Sequence, residues 1–266
     1  MNLISRLAIS ILLLGICGYV FATDDLAPTG ALRATFIDTN SAQAKADPKT
    51  GAVTGPAADL TRALALELGV PFTIKPVRGV AGVLESVKNG EADIGFLAYD
   101  PVRAAEVDFS QTYVLAQNTY LVPENSPIRV VADVDKPGIR VGVGARDAGD
   151  YFLTRTLKNA TIKRNEAGTT DVALAWLKAG EVDVYAGNRQ RMSEAVARMP
   201  GLRLTPDNFY GVEQCIIVAK GGTASGAAKL AIINRFLDEA RASGAIAAAI
   251  ERAGLVGVDV APPNTR

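Results

Sequence analysis

A helical stretch, a Lys-x-Gly-Glu-x-Asp turn and a short apolar run occur twice in this chain. The copies lie at Lys88-Asn89-Gly90-Glu91-Ala92-Asp93 and Lys178-Ala179-Gly180-Glu181-Val182-Asp183. Each turn stops an amphipathic helix and starts a strand, so the chain must be assembled from helix-then-strand units. Before the first copy, Ala31 to Ile37 reads as a strand, Ala58 to Leu68 as a helix stopped by Gly69, Pro71 to Pro76 as a strand and Val80 to Asn89 as a helix. The connections are too long for hairpins, which argues for right-handed parallel strand–helix–strand units. A second series begins at Ile139 with IRVGV, a helix from about Gly149 to Lys158 and the strand TIKR. It continues with a helix over Asp171 to Lys178 and the strand GEVDVYAG. Asn118 to Val122 reads as a strand between the series. After Val212 come an apolar strand to Ala219, an Ala-rich helix from Ala227 to Ala242 and a short helix ending near Gly254. The C-terminal APPNTR reads as frayed. Two lobes built from one unit are the expected outcome.

Several function classes drop out on composition. Lys and Arg total 28 against 28 acids, so nothing draws the chain to nucleic acid. No histidine occurs, which removes Ser-His and Cys-His catalysis; with only two cysteines, no metal site is expected. Residues 1–22 read as a secretory signal peptide, with Arg6 as the positive region, Leu7 to Ile16 as the apolar region and Val20-Phe21-Ala22 as the cleavage box; a retained anchor is the alternative. Ile16 stands where lipid attachment beside Cys17 would need a small residue. Removal of the segment leaves one cysteine, Cys215, read as a buried strand residue, and the compartment implied is the periplasm.

The stretch Gly90 to Tyr113 concentrates functional signals. Its apolar strand ends just before Asp100, placed as an N-cap with Pro101 at the first helical position, and Arg103 follows within the first turn. A strand end, helix N–H donors and an arginine together suit a carboxylate or another small anion. The competing reading pairs Arg103 with Asp100 or Glu106 on a solvated face.

LRATFIDT, VLESVKNGEADIG, RAAEVDFSQTYV, GIRVGV, ALAWLKAGEVDVYAGN and KLAIINRFLDEARASGAIAAAIERAG follow one another in an order that resembles the extracellular solute-binding proteins of family 3. These are the periplasmic receptors of amino-acid ABC transporters. The resemblance covers about 31–255, and Arg-x-x-x-Val-Asp-Phe-Ser is its most specific piece. It implies an α/β, two-lobed periplasmic-binding-protein-like fold, each lobe a mainly parallel sheet flanked by helices, joined by a two-segment hinge. One lobe would comprise 23–115 plus 212–266 and the other 116–211. Ligand would bind between them at the carboxyl ends of strands. The implied partners are a small-molecule ligand and a membrane ABC permease, with no cofactor, and the protein is expected to be a monomer.

By the same resemblance, Arg103 matches the arginine that pairs with a ligand carboxylate, with Ala98 and Tyr99 beside it. Asp147 and Ala148 match the second-lobe loop that donates N–H groups. Tyr99 also reads as a packing residue, Arg146 as a solvated loop charge and Asp147 as a helix cap. Asn188 stands where an aspartate receives the ligand ammonium, so a counter-ion for an ordinary amino acid is missing. Asn40 replaces an aromatic wall. Asp38, Glu213 and Gln214 fall on cleft-facing segments or serve as hinge hydrogen bonds, and Arg189 and Arg191 read as exposed helix residues or further anion contacts. The functional expectation is a receptor, not an enzyme, for a small anionic or polar metabolite. The alternative is an enzyme resembling cyclohexadienyl dehydratases on the same scaffold, with Asp147 or Glu213 as general acid.

Overall fold

The computed structural model describes residues 25–221 and 226–265, so the expected signal segment, with Arg6 and Cys17, lies outside the described residues. The first unit runs β1 (Leu32–Ile37), a small hairpin β2 (Lys45–Ala46) and β3 (Val53–Thr54), α1 (Pro56–Leu68), β4 (Phe72–Val77), α2 (Gly79–Lys88) and β5 (Ile94–Ala98). Local chemistry sets these limits. Pro56 opens α1, where a missing N–H costs nothing, and Gly69 closes it at φ 71°, a left-handed turn that returns N–H groups to Ala65 and Leu66. β1 pairs in parallel with β4 and β5.

The second unit comprises β7 (Arg140–Gly144), α3 (Ala148–Thr156), β8 (Thr161–Asn165), α4 (Thr170–Ala179), β9 (Val184–Asn188), α5 (Arg189–Arg198) and β10 (Leu202–Leu204). β7 pairs in parallel with β8 and β9. Between the units runs β6 (Val107–Pro123), and after them come β11 (Tyr210–Ala219), α6 (Gly226–Ala242), α7 (Ala245–Arg252) and β12 (Val258–Val260).

β6 corrects the expectation of a short strand at 118–122: it is one strand of 17 residues. Its first part pairs antiparallel with β11, and Asn118 to Leu121 pair antiparallel with β9. The sheet order is therefore β4-β1-β5-β11-β6-β9-β7-β8, with β10 and β12 added along β6. Each half is sandwiched between helices. Leu32, Phe36, Leu64, Ile94, Phe96, Ile233 and Leu237 pack on one face of the first sheet, and Val83, Val87, Leu97 and Ile217 on the other. Around the second sheet, Val141, Val143, Leu153 and Val184 form one cluster and Leu121, Leu174, Leu177, Tyr185 and Met192 another. This is a two-lobed α/β architecture. Cys215 is a buried residue of β11, its Sγ 3.7 Å from Thr112 Oγ1, as its apolar run suggests.

Of the C-terminal APPNTR, residues 261–265 are held rather than frayed, the Thr112 N–H donating to the Thr265 carbonyl at 3.1 Å. β12 pairs with β6 over Ala116 to Val114, Ala261 is buried with its N–H on the Tyr113 carbonyl, and Arg241 holds the Ala261 and Thr112 carbonyls. An apolar pattern of only a few residues could not announce this strand. Asp100 does not begin an α-helix either. Its Oδ1 accepts from Val102 N at 2.8 Å and Arg103 N at 3.4 Å, and only a 3₁₀ turn over Arg103–Ala105 forms. The link between β5 and β6 is too short for more.

Candidate functional site

The carboxyl ends of β1, β5, β7 and β9 open onto one cleft of about 430 Å³, which β6 and β11 cross at its floor. Asn40, Ala98, Arg103, Arg146, Asp147, Ala148 and Asn188 all line it, and so does Gln214. Asp38, Tyr99 and Glu213 do not. Strand alternation explains the last two: Ala98 is paired with Gln214 and both line the cleft, so Tyr99 and Glu213, one step along each strand, turn elsewhere. Tyr99 packs edge-on to Phe109 with ring centroids 5.3 Å apart, and Glu213 accepts from Thr112 at 3.3 Å. Asp38 is exposed, beyond the end of β1. Sequence reasoning missed Asn118, a buried polar residue on β6 that also lines the cleft. An amide inside the apolar run VLAQNTYLV is the signal that could have found it.

Arg103 is placed by the tight Asp100 turn. Its Nη1 donates to the Ala98 carbonyl at 2.9 Å, and among the described residues it makes no ion pair. The expected alternative partners are engaged differently: Asp100 caps the turn backbone and Glu106 pairs with Lys88. Burial lowers the Arg103 pKa, with Asp100 and Tyr151 opposing at longer range. A partly desolvated guanidinium with neutral hydrogen bonds alone is under-compensated and attracts an anion.

The opposite wall is made by the starts of α3 and α5. Asp147 caps α3, its Oδ1 accepting from Asp150 N at 2.8 Å. A Cβ at Gly144 would lie 2.8 Å from Asp147 Oδ2, so this glycine lets the carboxyl fold back over its own turn. Burial raises the Asp147 pKa; the Asp150 N–H and the nearby Arg191 charge offset part of that. Arg146 has a left-handed backbone, φ 63°, stabilised by its N–H on Asp150 Oδ2 at 2.9 Å. Its guanidinium is 77% exposed and lies 3.6 Å from Glu166, as expected of a solvated loop charge. Asp150, 3% exposed, also takes Arg164 and Thr154 and thereby fixes the whole loop.

Asn188 ends β9 and caps α5, with Oδ1 accepting from Arg191 N at 3.2 Å. That bond assigns the amide orientation and leaves Nδ2 as the free donor. One helical turn on, Arg191 donates Nε to Thr170 Oγ1 at 2.9 Å and Nη2 to the Gly168 carbonyl at 2.6 Å, and lines the cleft without a carboxylate partner among the described residues. Arg189 is neither exposed nor in the lining: its guanidinium binds Asn208 and the carbonyls of Thr205 and Asp207. Among the described residues, no cluster of His, Cys, Asp and Glu could hold a metal ion.

Solved structures similar to this one include an ancestral amino-acid-binding protein described as a precursor of cyclohexadienyl dehydratase, at 23% identity and TM-score 0.67, over 86% of this chain and 97% of that one. An ancestral arginine-binding protein bound to arginine matches at 25% identity and TM-score 0.64, over 84% and 97%. An amino-acid ABC transporter substrate-binding protein of Streptococcus pneumoniae bound to L-arginine matches at 21% and 0.65, over 86% and 97%. These likenesses speak for the two-lobed fold. No curated protein matches. Residues 35–254 match the family described as bacterial extracellular solute-binding proteins, family 3, and the chain belongs to that family.

Proposed function

We propose that this protein is a periplasmic receptor that takes a small carboxylate from the envelope space and delivers it to a membrane ABC permease. The observation that carries the reading is Arg103: a cleft guanidinium hydrogen-bonded only to the Ala98 carbonyl, with no acid within ion-pairing distance among the described residues. Ligand capture requires no chemistry, only closed and open states of different affinity. We place the lobes at 23–115 plus 212–266 and at 116–211. In support, β6 changes its antiparallel partners near Asn118, which faces Tyr210 of β11 and Asn188 of β9. Family membership supports export, with residues 1–22 as the signal, and the amino-acid receptors among the structural neighbours support amino-acid-like size.

The test is calorimetry of the wild-type chain and Arg103→Ala against amino acids and carboxylates. Losing one partner of a buried charge pair costs at least about 2 kcal/mol, roughly thirtyfold in affinity. Unchanged affinity in the variant rejects Arg103 as the anchor. Incubating the same wild-type sample with prephenate addresses the dehydratase alternative, for which the cleft acid is Asp147, already committed to capping α3. Aromatic product would replace the receptor reading with an enzymatic one.

A further inference from the structure

We infer that the ligand is a compact dicarboxylate without a free ammonium group, one carboxylate on Arg103 and the other on Arg191 with the Asn188 amide. This rests on the receptor reading and narrows its ligand class. Arg103 and Arg191 enter the cleft from the two different lobes, and neither has an ion-pair partner among the described residues. Both are fixed by neutral acceptors that leave donors over: Arg103 uses Nη1 on the Ala98 carbonyl, and Arg191 uses Nε and Nη2 on Thr170 and Gly168. Each is thus a preorganised cation with donors to spare. The Asn188 oxygen already accepts the Arg191 N–H, whereas both hydrogens of its Nδ2 are uncommitted among the described residues, so the amide faces the cleft mainly as a donor.

An ammonium group needs the opposite. The acid in the lining is Asp147, whose Oδ1 caps the start of α3 by accepting from Asp150 N and whose charge the neighbouring Arg191 already partly offsets. A ligand ammonium would meet a competing donor at Asn188 and a like charge at Arg191. A second carboxylate there would be received by charge and by hydrogen bonds together. Because the guanidiniums sit on opposite walls, a ligand with an acid at each end also bridges the lobes, and a monocarboxylate of equal length cannot.

The experiment titrates succinate, glutarate, butanoate and L-glutamate into the full chain by calorimetry. The expected order is a dicarboxylate at least about tenfold tighter than butanoate, about 1.4 kcal/mol, with L-glutamate weaker than glutarate. Arg191→Gln should bring the ratio of dicarboxylate to butanoate affinity close to one, and Arg191→Lys should restore part of it. Asn188→Asp keeps an oxygen to cap α5 and adds the missing acid, so it should weaken glutarate and strengthen L-glutamate. Thermal unfolding of each variant reports whether the Gly168–Thr170 loop is intact. Arg103-dependent binding of butanoate as tight as that of succinate, or of L-glutamate tighter than glutarate, overturns the dicarboxylate inference and leaves the receptor reading standing. Binding of these acids that is indifferent to Arg103→Ala, or no binding by any of them, overturns both.

Discussion

At the residue scale, Asp147 decides how the cleft responds to pH. Burial raises its pKa above the ordinary 3.8, while the Asp150 N–H and Arg191 pull it down and the Asp150 charge pushes it up. A carboxyl whose folded pKa is raised is destabilising once ionised. The penalty is absent below its unfolded value, where both states are protonated, builds as pH rises past that value, and is complete above the raised folded value. Asp147→Asn, which retains a capping oxygen, is therefore expected to raise the urea midpoint at pH 7 and to lose that advantage at low pH. It should also tighten anion binding, because a like charge at cleft distance costs on the order of 1 kcal/mol, and should flatten the rise in affinity expected of the wild type as pH falls toward the raised pKa. Equal pH profiles for wild type and variant would refute a titrating Asp147 in the cleft. Arg103 and Asn188 are legible as sequence because each lies at a strand-to-turn junction, Arg103 in the turn after β5 and Asn188 at the last residue of β9. For Tyr99 and Glu213 the choice between cleft and packing stays open in the sequence because alternation along a strand can be applied only once the register is known, and the register Gln214 to Ala98 exists only in the folded sheet.

At the element scale, the repeated Lys-x-Gly-Glu-x-Asp turn has a physical reason. Asp93 accepts the Arg33 backbone N–H at 2.8 Å and binds its guanidinium through both oxygens. Asp183 does the same for Arg140, with N–H at 2.8 Å. In each lobe the turn before one strand thus clamps the start of its parallel neighbour, β1 or β7, and fixes register. The two clamps differ in burial. Asp93 is 5% exposed in its side chain and Asp183 32%. Arg33 raises its own pKa by bonding Asp93, and Arg140 lowers that of Asp183. Asp93→Ala is expected to cost about 2 kcal/mol, below the usual loss for breaking a fully buried pair because Arg33 keeps access to water, and Asp183→Ala a minor fraction of that. Urea unfolding checks the ranking; equal losses would mean that the clamps hold by backbone capping alone. The strands and helices around these turns followed from apolar spacing. The length of β6 did not, since its second half takes new partners and no local pattern encodes a change of partner.

At the scale of the whole molecule, the two halves touch beyond the crossing strands. Lys45 of the β2–β3 hairpin pairs with Glu194 of α5 at 3.0 Å, Glu194 also accepts from Gln190 Nε2 at 2.9 Å, and Gln190 Oε1 accepts from Val256 N near the C-terminus. Lys45 and Val256 belong to the first half and α5 to the second, so these contacts bridge the two sides of the cleft. The ion pair is solvated, with side chains 58% and 44% exposed, and such pairs contribute about 0–1 kcal/mol. On the proposed receptor reading that would be enough to bias an open–closed equilibrium, since apparent affinity falls in proportion to the closed fraction. Glu194→Ala is accordingly expected to weaken every ligand by one common factor of up to about fivefold, without altering the order among them, and to raise the radius of gyration of the unliganded protein in small-angle scattering. Arg103 and Arg191 substitutions should do the reverse, changing the order of ligands according to their charge. A Glu194 variant that discriminated among ligands would place this residue in the binding chemistry. One that left affinity and dimensions unchanged would show that the crossing strands alone set the closure.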